Sequence, residues 1–248
     1  MTATGWAWLA AAGVLAVLDW IAVAQGARRL ERIAKPLVLA ALVMAAVVSQ
    51  PLKPAVHGWL IVALGCGLAG DVALVAERRP APVPVLITVG GGQHAAKSGR
   101  SGRLAADAVG GGSDWLFMLG LLAFLLGHLS YARAMQLYGT DQLSVAFGLL
   151  LVLIALLSFG YRILAGTHAV GGGRLTLGVT LYVVALGTAV VLGVGTEQLW
   201  IASGIVLFAV SDLVLASDRF VQARPLAPVT VAITYHLAQA LLLLGLLT

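Results

Sequence analysis

The stretch "LFAVSDLVLASDRF", residues 207–220, places one aspartate inside an apolar run and a second at its end. Asp218 is followed by Arg219 and marks the return of the chain to water. Asp212 lies within the run, where an aspartate at the centre of a membrane helix costs about 2.5–3.5 kcal/mol. Such a residue usually faces a cavity or a partner. The stretch therefore predicts a membrane-spanning helix that carries a functional carboxyl group.

The composition of the whole chain agrees with a membrane location. Of its 248 residues, 60% are hydrophobic and 10% are charged, whereas soluble domains carry about 25% charged residues. The apolar runs are long and continuous rather than alternating, which favours helices over a β-barrel. The one cysteine, Cys66, lies in an apolar run, so a disulfide framework is excluded. The fold class predicted is all-α.

Several segments are long and apolar enough to cross a bilayer core, which needs about 20 residues of helix. Eight such spans are predicted, at roughly 6–25, 35–50, 59–76, 115–137, 143–161, 175–194, 198–216 and 226–247. Pro36 would lie in the first turn of the second span, where proline is favoured. The first segment lacks the positive region of a signal peptide and is interpreted as a retained span. The sequence predicts a single domain, residues 1–248, built as a polytopic membrane bundle of eight transmembrane helices.

The basic residues alternate between the two sides of these spans. One side holds thirteen of the 15 lysines and arginines, and the other holds only Lys53 and Arg133. The thirteen are Arg28, Arg29, Arg32, Lys35, Arg78, Arg79, Lys97, Arg100, Arg103, Arg162, Arg174, Arg219 and Arg224. The positive-inside rule then predicts a multi-pass protein of a bacterial inner membrane with both termini on the non-cytoplasmic side. Because topology and anionic lipid explain the basic residues, no nucleic-acid partner is predicted.

The segment at about 80–114 is rich in proline, glycine and small residues, and we expect it to be a flexible cytoplasmic loop insertion. Its "GGGQHAAKSG" run lacks the G-K-[ST] order of a nucleotide-binding loop. His94 and Asp107 within it are expected to be solvated residues without a function.

Spans 3 and 7 align without gaps, which indicates an internal repeat. The matched pairs are Trp59 with Trp200, Asp71 with Asp212, Leu74 with Leu215, Glu77 with Asp218 and Arg78 with Arg219. The span after each carries one histidine, His128 or His236. Because four spans separate the copies, the halves would run in the same direction as a 4+4 parallel repeat. Two aspartates and two histidines would then meet at one central site.

Ionisable side chains within the spans are the candidates for chemistry. They are Asp19, Asp71, His128, Asp212 and His236. Tyr131 lies one helical turn from His128, and Gln239 lies one turn from both Tyr235 and His236. Two carboxyl groups that differ in burial suit general acid and general base roles. The alternative is structural, with each group hydrogen-bonded between helices, and for Asp19, beside Trp20 near the end of its span, this alternative is favoured.

Other familiar hydrolytic sites fit the sequence less well. No G-x-S-x-G motif is present, which argues against a serine lipase. The HExxH motif is absent as well, and although two aspartates and two histidines could in principle hold a metal, no metal site is predicted.

Five motifs together resemble the YhhN-like lysoplasmalogenase family. They are "KPL" at 35–37, "GLAGDVALV" at 67–75, "GLLAFLLGHLSYA" at 120–132, "LFAVSDLVLASDRF" at 207–220 and "ITYHLAQALL" at 233–242. The resemblance implies an eight-span membrane hydrolase that cleaves the vinyl ether bond of a lysophospholipid, lysoplasmenylethanolamine or lysoplasmenylcholine. The products would be a fatty aldehyde and glycerophosphoethanolamine or glycerophosphocholine. Water would be the only co-substrate, with no cofactor. The connection at 80–114 is longer than the family pattern.

The resemblance also implies which residues form the site. Asp71 and Asp212 would be the catalytic pair. Substrate-binding positions would be Lys35, His128, Tyr235 and Gln239, to which their neighbours Tyr131 and His236 are added. Lys35, at the end of its span, suits a phosphate headgroup, and the alternative is an ordinary positive-inside lysine.

Vinyl ether hydrolysis begins with protonation of an alkene carbon, which gives an oxocarbenium ion. One aspartate would donate that proton, and the other would stabilise the cation and deprotonate the water, with the division of roles left open. Two other functions remain possible from the sequence: a proton-coupled transporter of a small molecule or lipid, and a structural membrane protein. No protein partner is predicted, and membrane lipids are the expected surroundings.

Overall fold

The computed structural model of this chain describes residues 1–76 and 114–247. The loop predicted at about 80–114 lies outside the described residues except for Asp114, where a helix begins. Glu77 and Arg78 of the sequence repeat also lie outside them. All regular secondary structure in the described part of the chain is helical, as the sequence predicts.

Within each of the two described ranges, the helices follow one another with short connections. They are α1 (Ala3–Ala24), α2 (Arg28–Val47), α3 (Pro54–Ala76), α4 (Asp114–Tyr138), α5 (Gln142–Ala155), α6 (Tyr161–Gly195), α7 (Leu199–Phe220) and α8 (Ala227–Leu247), with a π-helical turn, Leu156–Gly160, between α5 and α6. Within residues 1–76 and 114–247, six segments are long and apolar enough to cross a membrane. They are Ala3–Ala24, Pro54–Ala76, Trp115–Tyr138, Gln142–Gly195, Leu199–Phe220 and Ala227–Leu247.

The longest of these, the 54-residue segment formed by α5, the π-helical turn and α6, reverses direction at Gly172. This residue has φ 61° and ψ −160°, a conformation that only glycine adopts without strain. The hydroxyl oxygens of Thr167 and Thr176 lie 3.5 Å apart. A Cβ on Gly148 would lie 3.0 Å from the Cα of Val191. The chain before and after Gly172 therefore lies side by side and antiparallel.

Helix α2 begins earlier than the predicted start of its span at residue 35. Its first turns carry Arg28, Arg29 and Arg32, so the helix continues beyond its apolar part. The prediction that Pro36 lies in the first turn is wrong, because Pro36 lies inside the helix. Proline has no N–H, so the carbonyl of Arg32 lacks the donor that residue 36 would otherwise supply.

Helix α8 is the centre of the bundle and contacts α1, α2, α3, α4 and α7. Half of its apolar window, 50%, is buried inside the protein, compared with 6% for the α5–α6 segment. The α5–α6 segment is therefore peripheral and exposes its apolar side chains. Helix α3 packs on α4, and α7 packs on α8. The candidate site lies among these four helices.

Contacts between connections identify the two ends of the bundle. At one end, Lys53 Nζ donates to the carbonyl of Tyr138 (2.7 Å), and the amide of Asp141 donates to the carbonyl of Gly195 (2.8 Å). At the other end of α4, the guanidinium of Arg219 lies 3.7 Å from the ring centroid of Phe117. Asp141 also caps α5 by accepting from the amide of Ser144, and this hydrogen bond lowers the pKa of the Asp141 carboxyl.

Candidate active site

Asp71 is held on α3 by side chains from α2 and α8. The ammonium nitrogen of Lys35 lies 3.5 Å from Asp71 Oδ1, and the hydroxyl of Tyr235 donates to Asp71 Oδ2 at 3.0 Å. Asp71 is fully buried, and the Lys35 side chain is 17% exposed. Lys35 Nζ also lies 5.7 Å from the ring centroid of Tyr235. The structure thus brings together three of the predicted site residues.

Asp212 has a similar set of partners on α7. The hydroxyl of Tyr182, from α6, donates to Asp212 Oδ2 at 2.5 Å. His128 Nε2, from α4, lies 3.7 Å from the same oxygen. His128 is almost fully buried, and the Asp212 side chain is 14% exposed. Each predicted catalytic aspartate therefore accepts a tyrosine hydroxyl and faces one basic group.

The hydrogen bonding of His128 determines which of its nitrogens can react. His128 Nδ1 lies 2.8 Å from the carbonyl oxygen of Phe124. A carbonyl oxygen only accepts, so Nδ1 carries the hydrogen. Nε2 then presents a lone pair to a protonated Asp212, or a proton to an ionised one. The two atoms lie 3.7 Å apart, which is beyond hydrogen-bond distance, and Nε2 has no hydrogen-bond partner among the described residues.

A narrow cavity, too small to admit a water molecule, lies between the two aspartate clusters. It is lined by Ala63, Gly67, Phe124, Gly127, His128, Tyr131, Phe208 and Gln239. Phe208 contacts both clusters, because its ring centroid lies 4.6 Å from that of His128 and 5.4 Å from that of Tyr235. Neither Asp71 nor Asp212 lines this cavity. His128, which faces Asp212, does line it, and so does Phe208, which packs against the Tyr235 partner of Asp71.

Two predicted pocket residues, Tyr131 and Gln239, are hydrogen-bonded to each other across the cavity wall. The Tyr131 hydroxyl donates to Gln239 Oε1. Gln239 Nε2 is buried without a hydrogen-bond partner among the described residues, so it remains available as a donor. A Cβ at Gly67 would lie 3.0 Å from Gln239 Nε2 and 3.3 Å from the Tyr235 hydroxyl. Gly67 therefore allows α8 to bring both polar groups close to α3.

His236 belongs to a separate buried cluster rather than to the cavity lining. Its Nδ1 accepts from the indole N–H of Trp20 at 3.2 Å and lies 4.0 Å from Asp19 Oδ2. Asp19 is fully buried, and neither of its oxygens accepts a hydrogen bond from the described part of the protein. In residues 1–76 and 114–247, no three His, Cys, Asp or Glu side chains are grouped as metal ligands would be.

Sequence reasoning missed Tyr182 and Phe208. Tyr182 had a usable signal, because a tyrosine in the middle of an apolar span must find a partner for its hydroxyl. Phe208 had none, since a phenylalanine in a membrane helix faces lipid or core equally well. Only the packing of α7 against α4 and α8 shows that its ring touches both clusters.

The fold and the site define a polytopic helical membrane protein with two buried carboxyl groups at its centre. The chain belongs to the YhhN family, whose sequence profile matches residues 30–246. This range includes all the predicted catalytic and pocket residues and excludes Asp19 and Trp20.

The chain is also similar to curated relatives. It is 33% identical over 135 residues to "Lysoplasmalogenase" of Mycobacterium bovis, covering 53% of this chain and 51% of the relative. It is 29% identical over 137 residues to "Lysoplasmalogenase TMEM86A" of Bos taurus, covering 52% and 55%. It is 34% identical over 164 residues to "Lysoplasmalogenase TMEM86B" of Sus scrofa, covering 64% and 66%. The matches to the mycobacterial and bovine relatives span about half of their lengths. No solved structure matches the chain at a significant level.

Proposed function

We propose that this protein is a lysoplasmalogenase, a membrane-embedded hydrolase that cleaves the vinyl ether bond of lysoplasmenylethanolamine or lysoplasmenylcholine. The observation that carries the proposal is the pair of aspartates, Asp71 and Asp212. Each lies within a helix long and apolar enough to span a membrane, and each accepts a tyrosine hydroxyl beside a basic group. The family membership and the names of the relatives support the same activity.

The proposed reaction needs one proton donor and one water molecule. A proton adds to the alkene carbon distant from the ether oxygen, and the adjacent carbon and oxygen share the resulting positive charge as an oxocarbenium ion. Water adds to that carbon and loses a proton, which gives a hemiacetal. The hemiacetal breaks its bond to the glycerol oxygen, which takes up a proton. The products are a fatty aldehyde and glycerophosphoethanolamine or glycerophosphocholine, with water the only co-substrate.

We assign the proton-donor role to Asp212. Its basic neighbour is His128, and the neutral imidazole leaves the proton on the carboxyl group. His128 Nδ1 is committed to the Phe124 carbonyl, so Nε2 is the ring atom that faces Asp212. The Tyr182 hydroxyl, at 2.5 Å, stabilises the carboxylate that remains after donation.

Asp71 then acts as the carboxylate that stabilises the cation and accepts the proton of water. Burial alone would favour a neutral Asp71, because it is fully buried while Asp212 is not. The ammonium of Lys35 opposes this effect, since it lies 3.5 Å from Asp71 Oδ1. A nearby opposite charge favours the ionised form of a carboxyl group.

The rival function, a proton-coupled transporter, would place discontinuous helices at its binding site. Within the described residues, the four helices that surround the cavity, α3, α4, α7 and α8, are continuous. The break at Gly172 lies in the peripheral α5–α6 segment. These observations favour the hydrolase.

We further propose that the chain crosses the membrane eight times as a 4+4 parallel repeat, with both termini on the non-cytoplasmic side. The reversal at Gly172 supports two crossings in the α5–α6 segment. Aligning His128 with His236 also aligns Tyr131 with Gln239, and these two side chains are hydrogen-bonded to each other. Equivalent residues contact each other in this way near a two-fold axis.

The experiment that tests the activity is aldehyde release from lysoplasmenylethanolamine by the purified protein, compared with Asp71→Asn and Asp212→Asn. A saturated ether lysolipid serves as the unreactive control substrate. We expect the wild-type protein to release aldehyde and both variants, folded and equally soluble in detergent, to lose at least a hundredfold in rate. A wild-type protein that is inactive on every vinyl ether would overturn the proposal, and lipid counterflow in proteoliposomes without product would favour the transporter.

A further inference from the structure

A groove opens on the surface between α2 and α3, next to the Lys35–Asp71 ion pair. It is lined by Arg32, Pro36, Val72, Val75 and Ala76, and it has a volume of about 330 Å³. Pro36 and Val72 directly follow Lys35 and Asp71 in the chain. The groove therefore lies next to one of the two aspartate clusters along both helices, although neither Lys35 nor Asp71 lines it.

The chemistry of the groove is that of a zwitterion site with an apolar wall. Arg32 supplies a guanidinium, which pairs with phosphate oxygens through two parallel N–H donors. The carbonyl of Arg32 lacks the helical donor that Pro36 cannot provide, so it can accept from an ammonium group. The side chains of Val72, Val75 and Ala76 form the apolar wall.

We propose that this groove binds the glycerophosphoethanolamine headgroup of the lysophospholipid substrate. The phosphate pairs with the Arg32 guanidinium, and the ethanolamine ammonium donates to the Arg32 carbonyl. Lys35 lies three residues further along α2, which is about 4.5 Å in axial rise. The glycerol unit bridges that distance and carries the vinyl ether from the groove toward Asp71. The inference rests on the proposed hydrolase function and names the part of the substrate that is recognised first.

The alternative assignment of Lys35 as the phosphate ligand fits the geometry less well. The ammonium of Lys35 lies 3.5 Å from the Asp71 carboxylate, and a phosphate bound there would compete with Asp71 for it. Arg32 is exposed, lies in the groove and belongs to the part of α2 that extends beyond the apolar segment. It can bind an anion without disturbing the ion pair.

Arg32→Gln tests the phosphate contact, with Arg29→Gln as the matched control. Arg29 is an exposed arginine of the same helix that does not line the groove. With lysoplasmenylethanolamine, Arg32→Gln should raise KM about tenfold with little change in kcat, because one charge-assisted contact is lost before the chemical step. The loss should disappear with 1-alkenylglycerol, a vinyl ether without phosphate. An equal loss with both substrates, or an equal effect of Arg29→Gln, would overturn the assignment.

Pro36→Ala tests the ammonium contact. Alanine restores the N–H that donates to the Arg32 carbonyl, and it favours a helix interior, so the variant should remain folded. The wild-type protein should prefer the ethanolamine over the choline substrate, because a trimethylammonium group has no N–H donor. The Pro36→Ala variant should lose most of that preference. An unchanged preference, or wild-type indifference to the headgroup, would overturn this contact.

Binding without turnover separates this inference from the proposed activity. A saturated 1-alkyl lysophosphoethanolamine cannot be hydrolysed, so its affinity for wild type and Arg32→Gln reports on the groove alone. We expect about tenfold weaker binding to the variant, and competition by glycerophosphoethanolamine but not by equal concentrations of inorganic phosphate. Competition by inorganic phosphate alone would indicate a free anion site instead. Equal binding to both proteins would overturn the groove assignment even if the vinyl ether is cleaved.

Discussion

At the scale of single residues, the site consists of two aspartates with different basic partners. Asp71 faces the ammonium group of Lys35, while Asp212 faces the imidazole of His128. The proposed division of the acid and base roles, which the sequence left open, rests on this difference. Each carboxyl group is oriented by a hydrogen bond from a tyrosine hydroxyl to one of its oxygens. Tyr235 donates to Asp71, and Tyr182 donates to Asp212.

Removing the Tyr182 hydroxyl should slow the chemical step. In Tyr182→Phe, Asp212 loses its closest donor, so the carboxylate left after proton donation is less stable. Hydrogen bonds to charged groups contribute about 1.5–3 kcal/mol, which corresponds to about a 10- to 100-fold lower kcat with KM nearly unchanged. Steady-state kinetics with Tyr161→Phe, which alters an exposed tyrosine, provides the control. An unaltered kcat would contradict the role of Tyr182.

We expect Asp19 to lower the stability of the folded protein and to make no contribution to its activity. It is fully buried, and neither carboxyl oxygen accepts a hydrogen bond among the described residues. Burying a polar group in this way costs about 1–3 kcal/mol. We therefore expect Asp19→Leu to raise Tm by several degrees, at about 2–4 °C per kcal/mol, in detergent, with aldehyde release retained. A stabilised but inactive variant would instead show that the Asp19, Trp20 and His236 cluster takes part in the reaction.

At the scale of helices, glycines determine how closely the elements approach and where one of them turns. A Cβ at Gly204 on α7 would lie 3.0 Å from the backbone nitrogen of Leu242 on α8. Similar contacts at Gly70 and Gly120 allow α3 and α4 to pack closely. The helices that carry the site are therefore positioned by small residues, as is common where membrane helices associate.

Gly204→Ala should destabilise the α7–α8 pair. Its Cβ would meet backbone atoms of α8 that cannot move independently, and such overpacking costs about 1–3 kcal/mol. The matched control is Gly65→Ala, whose Cβ meets nothing within 4 Å. We expect a lower Tm for Gly204→Ala and an unchanged or higher Tm for Gly65→Ala. Equal Tm values would show that α7 and α8 are packed less closely than described.

Gly172→Ala should destabilise the reversal of the chain within α6. An L-residue at φ 61° and ψ −160° is strained by about 1–3 kcal/mol. Gly173→Ala is the control, because this neighbouring glycine has no positive φ and open space around its Cβ position. Thermal unfolding in detergent should show a lower Tm for the first variant only. If both variants unfold at the wild-type temperature, the chain does not need glycine to reverse there.

At the scale of the whole molecule, the central position of α8 explains how residues from opposite ends of the sequence form one site. Helix α8 contacts α1, α2, α3, α4 and α7, and it contributes Tyr235, His236 and Gln239. The peripheral α5–α6 segment contributes Tyr182 alone. A substrate that enters laterally from the lipid would thus reach two clusters held by one buried helix.

The eight-crossing topology predicts which connections face the cytoplasm. In a Cys66→Ala background, Thr140→Cys should react with a membrane-impermeant maleimide in intact cells, because Thr140 lies in the connection after α4. Gly173→Cys should react only after the membrane is permeabilised, because it lies at the reversal on the opposite side. Labelling of Gly173→Cys in intact cells would mean that the α5–α6 segment does not cross the membrane twice.

The sequence alone determined the helical membrane fold, because surplus apolar surface must face lipid and its backbone must satisfy its own hydrogen bonds. It also identified the two catalytic candidates, because inserting a carboxyl group into an apolar span costs free energy and therefore indicates a function. The partners of each group were decided only by tertiary structure. Lys35 meets Asp71, His128 meets Asp212, and His236 meets Trp20, since helix rotation and close packing at small residues choose among neighbours that composition cannot distinguish. The proposed division between proton donor and base rests on those contacts, because nearby charges influence the protonation of a carboxyl group.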